Sequence, residues 1–323
     1  MFKTLIITFT LVSTGFLIVQ TSFLDLGDIT DVKAIKDHIS PDSLIYLETK
    51  DEFPNFFTSI YKPTLNYLSY TFFSFVTNLT DFLPPFILNI IALVFLVLTS
   101  KEKRSLLLSI LLVPLALNSY LLTINKEFYL IIFFLLYIQN FKLKNYLYYT
   151  SIVMIAFTRI YFVPALACIE LITLYPRYKK EILILFALTI QSVVSLKLSN
   201  HHIVRINSAS LTLNELYNSS LSFPFSNIIF LPLRLFTSLI EPLVHATKTK
   251  SLYSISNSIC SFVFISTVYL IYKTKRTPIT LVVPISFIIL ILSTPFIHFR
   301  YILPIIPLTI YIHIELNNED SIS

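Results

Sequence analysis

Glycine is nearly missing from this chain, with two residues in 323. A backbone cradle for phosphate needs glycine at fixed positions, so a GxGxxG turn or a P-loop is ruled out and any phosphate must be held by side chains. The same shortage argues against close Gly-xxx-Gly packing of helices. Tryptophan is absent, while 29 Phe and 19 Tyr are present, so tyrosine must supply any interfacial aromatic belt. HExxH, paired CxxC and GxSxG are absent too, and the expectation is a protein with no metal and no cofactor.

Charge is also scarce. Charged residues make up 13% of the chain and hydrophobic ones 55%, with a mean hydropathy of +0.76. A soluble domain carries roughly 25% charged residues. Half that amount cannot solvate a globule of this size, but it suits a chain whose solvent is lipid. The expected fold class is all-α: a polytopic integral membrane protein of about ten transmembrane helices, forming one membrane domain over residues 1–323. A net charge of +6 would point a soluble protein towards nucleic acid. Here Lys and Arg sit in short clusters between apolar runs, so the lipid bilayer is the expected partner and nucleic acid is not. Cys168 and Cys260 lie in apolar stretches and read as small buried hydrophobes.

Apolar runs suited to spans fall at about 4–22, 82–100, 105–122, 127–141, 146–159, 160–176, 181–197, 252–272, 278–296 and 301–315. The first follows a basic start and no small-x-small cleavage site comes after it, which reads as an uncleaved signal anchor. Lys101-Lys103-Arg104, Lys142-Lys144, Arg177-Lys179-Lys180 and Lys273-Lys275-Arg276 are the basic clusters. Placing all four in the cytoplasm with Lys3 puts the N-terminus inside and requires an even number of crossings between clusters. Residues 146–176, basic at both ends, then become two short helices turning near Arg159. Residues 198–250 become an outer loop in which 226–244 is a re-entrant or surface-lying helix. Residues 24–80 form a long first outer loop. From Asp25 to Asp81 this segment holds nine carboxylates against four lysines.

On this layout Lys126-Glu127, Arg159-Ile160-Tyr161, Arg205, Arg234 and His298-Phe299-Arg300-Tyr301 all fall at outer helix ends or in outer loops. Charges at membrane depth persist where they have a partner or a task. Arginine's planar fork donates parallel hydrogen bonds to phosphate and keeps its proton, so Arg159, Arg234 and Arg300, assisted by Lys126, are the candidate phosphate-binding residues. A first-loop carboxylate, Asp25, Asp28 or Asp42, or else His298, is the candidate general base. Tyr46, Tyr161 and Tyr301 are candidates for stacking on sugar rings, or alternatively members of the interfacial belt.

Several segments carry a family likeness. They are the acidic loop with Asp42-Ser43-Leu44-Ile45-Tyr46, Asn125-Lys126-Glu127 at a span's head, Thr158-Arg159-Ile160-Tyr161, and His298-Phe299-Arg300-Tyr301-Ile302-Leu303-Pro304-Ile305-Ile306-Pro307. In layout the chain resembles the bacterial O-antigen and capsule repeat-unit polymerases (Wzy-like, EpsG-like) and the related GT-C glycosyltransferases. The resemblance implies the bacterial inner membrane and a polyprenyl-linked oligosaccharide at its outer face. It implies glycosyl transfer from polyprenyl pyrophosphate without a metal, and a chain-length regulator as a further partner. No paired-acid motif follows the first span, which favours the polymerase over a GT-C enzyme using a polyprenyl-phosphate sugar. A polysaccharide or lipid transporter is the rival from another class, although no matching halves are present.

The layout predicts that, in a cysteine-free background, a membrane-impermeant thiol reagent added to intact cells labels Asn125→Cys and not Glu102→Cys. Equal labelling of the two would overturn the assigned orientation.

Overall fold

A computed structural model of the protein describes residues 76, 79, 85–100, 126–198, 224–249, 252–273, 279–293 and 299–320. The described residues are helical and contain no strand. In chain order the helices are α1 (Pro85–Thr99), α2 (Lys126–Gln139), α3 (Tyr146–Thr158), α4 (Val163–Leu174), α5 (Lys179–Leu198), α6 (Pro224–Thr249), α7 (Leu252–Lys273), α8 (Val282–Ser293), α9 (Phe299–Ile302) and α10 (Ile305–Asp320). Eight of the expected spans meet a helix, namely α1 to α5, α7, α8 and α10. The spans expected at 4–22 and 105–122 lie outside the described residues, as does the acidic loop at 24–80 apart from residues 76 and 79.

Among the described residues no helix is long and apolar enough to cross a membrane. Six of the helices have 12–16 residues, or about 18–24 Å at 1.5 Å per residue. The three longer ones, α5, α6 and α7, are diluted by polar side chains. The spans expected at 127–141 and 160–176, already short, still overrun α2 and α4 because apolar runs continue through the turns: Phe141, Ile160 and Phe162 are apolar but sit outside the helices.

Local chemistry ends the helices where they end. Asn145 caps α3, its Oδ1 accepting from the Tyr148 N–H at 3.1 Å, and its Nδ2 donates to Asn140 Oδ1 at 2.8 Å. Asn140 in turn donates from Nδ2 to the Leu136 carbonyl at 2.9 Å, satisfying the end of α2. Between them Lys144 takes a left-handed conformation, φ 49°, which lets the turn close in so few residues. Arg159 is extended (φ −153°, ψ 94°) and ends α3, and Pro164 in the first turn of α4 favours a helix start there. The chain therefore turns at Arg159, the position where the charge pattern placed a turn.

The core is a contiguous aromatic and aliphatic cluster to which α2, α4, α8 and α10 contribute most. Phe134 of α2 stacks on Phe287 of α8 with centroids 4.4 Å apart. Phe162, three residues past Arg159, meets both rings edge-on at 5.3 and 5.2 Å. Such pairs are worth about 0.5–1.5 kcal/mol each beyond their buried area. They nail the turn after Arg159 onto α2 and α8.

On α1, α6 and α7 parts of the helix faces are inverted relative to a water-soluble bundle, with polar side chains inside and large apolar ones outside. Helix α7 buries Asn257, Ser258, Ser261 and Thr267 and exposes Phe262, Ile265, Tyr269 and Tyr272. Helix α6 buries Arg234 and Ser238 and exposes Leu233, Phe236 and Leu243. Helix α1 buries Asn89 completely and exposes Ile91, Val94, Phe95 and Leu98. Many of the buried hydroxyls turn to a carbonyl one turn earlier, as Ser238 does to Arg234 at 2.7 Å and Thr267 to Val263 at 2.8 Å. Ser261 instead donates to the Leu239 carbonyl at 2.5 Å and so ties α7 to α6.

Replacing the cap, Asn145→Ala, should lower stability by about 1 kcal/mol, read as an earlier unfolding transition of the purified protein. An unchanged transition would mean that the α2–α3 turn is held by other contacts.

Candidate functional site

Antiparallel α2 and α3 bring Lys126 and Glu127, at the start of one, beside Arg159, at the end of the other. The Glu127 and Arg159 side chains form an ion pair through Oε1 and Nη2, with 2% and 11% of each side chain exposed. Across a third element, α9, the Tyr301 ring lies under the guanidinium, Arg159 Cζ being 4.9 Å from its centroid. A cation over a ring face is favoured by the ring's quadrupole, more so when water is excluded. Three stretches separated by 32 and 142 residues thus converge on one arginine.

Each partner supplies something different. Glu127 sits in the first turn of α2, where the helix dipole stabilises an anion. Its charge balances Arg159, and a buried pair is retained only when both charges are present: removing one strands the other, at roughly 3–5 kcal/mol. Tyr301 restrains the plane of the guanidinium. An arginine fixed on two sides presents its donors in a set direction, which is what recognition of a phosphate oxygen requires.

Helix α6 bonds to the end of α8 and to the start of α9. Arg234 is buried, and its Nη1 donates to the carbonyl of Leu292 in the last turn of α8. Glu241 accepts the Phe299 N–H at 3.1 Å through Oε2. The expectation for Arg234 was phosphate binding, and the structure gives its guanidinium a carbonyl at a helix end, with a cation on the negative pole of the helix.

A second polar cluster occupies the opposite end of the α2–α3 hairpin. Lys144 Nζ donates to Glu170 at 2.7 and 2.9 Å and to the Tyr148 hydroxyl at 2.5 Å, and lies 4.0 Å from the Tyr148 ring centroid. This cluster ties the hairpin to α4 about 20 Å, one helix length, from Arg159. The basic residues Lys142 and Lys144 share that end with Arg177, Lys179 and Lys180, which follow α4.

Of the residues singled out in the sequence, Arg159 and Tyr301 meet, and Lys126 opens α2 half-buried beside them. Arg300 lies in α9 and Tyr161 in the turn at 160–162, and the side chains of both are outside the described part. Asp25, Asp28, Asp42, Tyr46 and His298 lie outside the described residues. Two acids were not ranked from sequence. Glu127 was visible as a carboxylate opening an apolar run, and Glu241 as one carboxylate within the apolar stretch 226–244. Among the described residues no group of His, Cys, Asp and Glu could hold a metal.

Glu127→Ala and Arg159→Met should each destabilise the fold by roughly 3–5 kcal/mol, and Glu127→Leu combined with Arg159→Met should recover much of the loss. Denaturation of the purified variants measures this. A double variant as unstable as the sum of the singles would mean that the two side chains act independently.

The chain matches no family model, and no curated protein or solved structure gives a significant match.

Proposed function

We propose that the protein is a membrane-embedded glycosyltransferase that polymerises lipid-linked oligosaccharide repeat units at the outer face of a bacterial inner membrane. The observation that carries the reading is the fixed guanidinium of Arg159, held by Glu127 and faced by Tyr301 at one end of a helical assembly. In such a transfer the bond from the sugar to pyrophosphate breaks, and charge develops on the leaving oxygen. A pre-oriented arginine in a place poor in water stabilises that charge in the transition state. Arg300, next to Phe299 in α9, and Lys126 would complete the phosphate group, and Tyr301 would offer a ring to a sugar.

Support for the membrane comes from the inverted faces. Burying Arg234, Asn257 and Ser261 while exposing Phe262, Phe236 and Leu98 is unfavourable in water and favourable in lipid. Helices of 12–16 residues are shorter than the ~30 Å hydrocarbon layer. Either the bilayer thins around them or their polar ends lie below the headgroups. Both arrangements suit a phosphate carried on a membrane lipid. An apolar groove of 1150 Å³ between α6, α7 and α8, lined by Leu235, Leu239, Phe264 and Ile288 among others, suits a long hydrocarbon chain.

The acceptor's base would be Asp25, Asp28 or Asp42 of the acidic loop, or His298. A GT-C transferase acting on a polyprenyl-phosphate sugar would use the same arginine, whereas a transporter would need polar residues at mid-depth.

Deleting the gene and separating surface glycans by size tests the reading. A ladder should collapse to a single repeat unit and be restored by wild type but not by Arg159→Lys. This substitution keeps the charge but loses the planar fork. Repeat units lacking one sugar would replace the polymerase with a GT-C transferase, and an unchanged glycan profile would overturn both.

A further inference from the structure

Helix α6 touches neither Glu127 nor Arg159 through any bond described above, yet it bonds to α9, the element that carries Tyr301. Arg234 and Glu241 are seven residues apart, two helical turns, and therefore share one face of α6. That face spans the α8–α9 joint. On one side Arg234 donates to the Leu292 carbonyl, one of the last carbonyls of α8, which lack a partner within the helix. On the other, Glu241 accepts the Phe299 N–H at 3.1 Å, at the first residue of α9. The charges match the ends they meet, a cation at the finishing helix and an anion at the starting one.

Tyr301 follows Phe299 by two residues within the single turn of α9. Such a short helix has too few internal bonds to hold its own position. Phe299 is buried, and its backbone N–H bonds to Glu241 two residues before the Tyr301 ring that faces Arg159. We propose that Glu241 is a positioning residue. By anchoring α9 to α6 it keeps Tyr301 stacked on Arg159, and so fixes the direction in which Arg159 meets a phosphate. The strap itself stands on geometry, and its consequence for phosphate rests on the function proposed above.

The chain has no tryptophan, so Tyr301→Trp creates a single-tryptophan protein whose emission reports the surroundings of that ring. The full chain, purified in lipid nanodiscs, is titrated with inorganic pyrophosphate. Arg159→Met in this background defines the emission of an indole without its cation. Glu241→Ala should move the emission to that value and weaken pyrophosphate binding by about tenfold, the scale of losing one well-aimed hydrogen bond to a charged group. Glu241→Gln retains an amide oxygen to accept the Phe299 N–H and should keep both emission and affinity near those of the Tyr301→Trp parent. The control Lys180→Gln, exposed in the first turn of α5 and far from Arg159, should change neither. If Glu241→Ala fails to fold, Glu241→Gln and Glu241→Leu are compared instead, and parental emission in the Leu variant overturns the proposal.

Unchanged emission and affinity in Glu241→Ala overturn the strap. Emission that depends on Glu241 in a protein blind to pyrophosphate keeps the strap and overturns the phosphate reading. Emission that depends on Glu241 with unchanged affinity overturns the claim that the strap directs Arg159.

Discussion

A charge or hydroxyl inside this assembly has to find its partner within the protein, because the outward helix faces are apolar. Several of the described polar side chains meet that requirement. Ser238, Thr267 and Thr309 turn back to carbonyls one turn earlier, Ser261 reaches across to α6, and Arg159 is retained because Glu127 stands opposite it. Desolvating a charge without a partner costs several kcal/mol, which is a large share of the 5–15 kcal/mol by which a domain is stable. Among the described residues two ion pairs, Glu127–Arg159 and Lys144–Glu170, sit at the two ends of the α2–α3 hairpin.

That placement at helix ends has a chemical result. The ends carry partial charges from unpaired N–H and carbonyl groups. Glu127 at the start of α2, Arg234 at the finish of α8 and Glu241 at the start of α9 each match the sign of the end they meet. The same end of the assembly thus gathers two arginines and two glutamates in fixed positions, and Tyr301 covers one of the arginines. The far end is pinned by Lys144 and Glu170, and the hairpin of α2 and α3 is fastened at both extremities. A held arginine at one end of short helices is the feature on which the proposed chemistry on phosphate rests.

All-helical architecture was legible in the chain, because apolar run length and the spacing of Lys and Arg are one-dimensional quantities. The break at Arg159 was legible for the same reason, since a run basic at both ends has to reverse. Helix length was not. An apolar residue in a turn looks the same in sequence as one in a helix, and the turns at 140–145 and 159–162 are specified by Asn140, Asn145 and Pro164 rather than by a loss of hydropathy.

Partner choice belonged to the tertiary structure alone. The sequence determined that arginines would sit beside apolar runs, but Arg159 and Arg234 read alike there, each a single cation in a hydrophobic setting. Packing separated them. One faces a carboxylate and a ring brought from 32 residues before and 142 after it, and the other faces a helix-end carbonyl 58 residues away. The sequence alone determined which residues could not stand unpartnered. Which partner each received depended on which helix ends meet, and that is decided only when α2, α3, α6, α8 and α9 pack together.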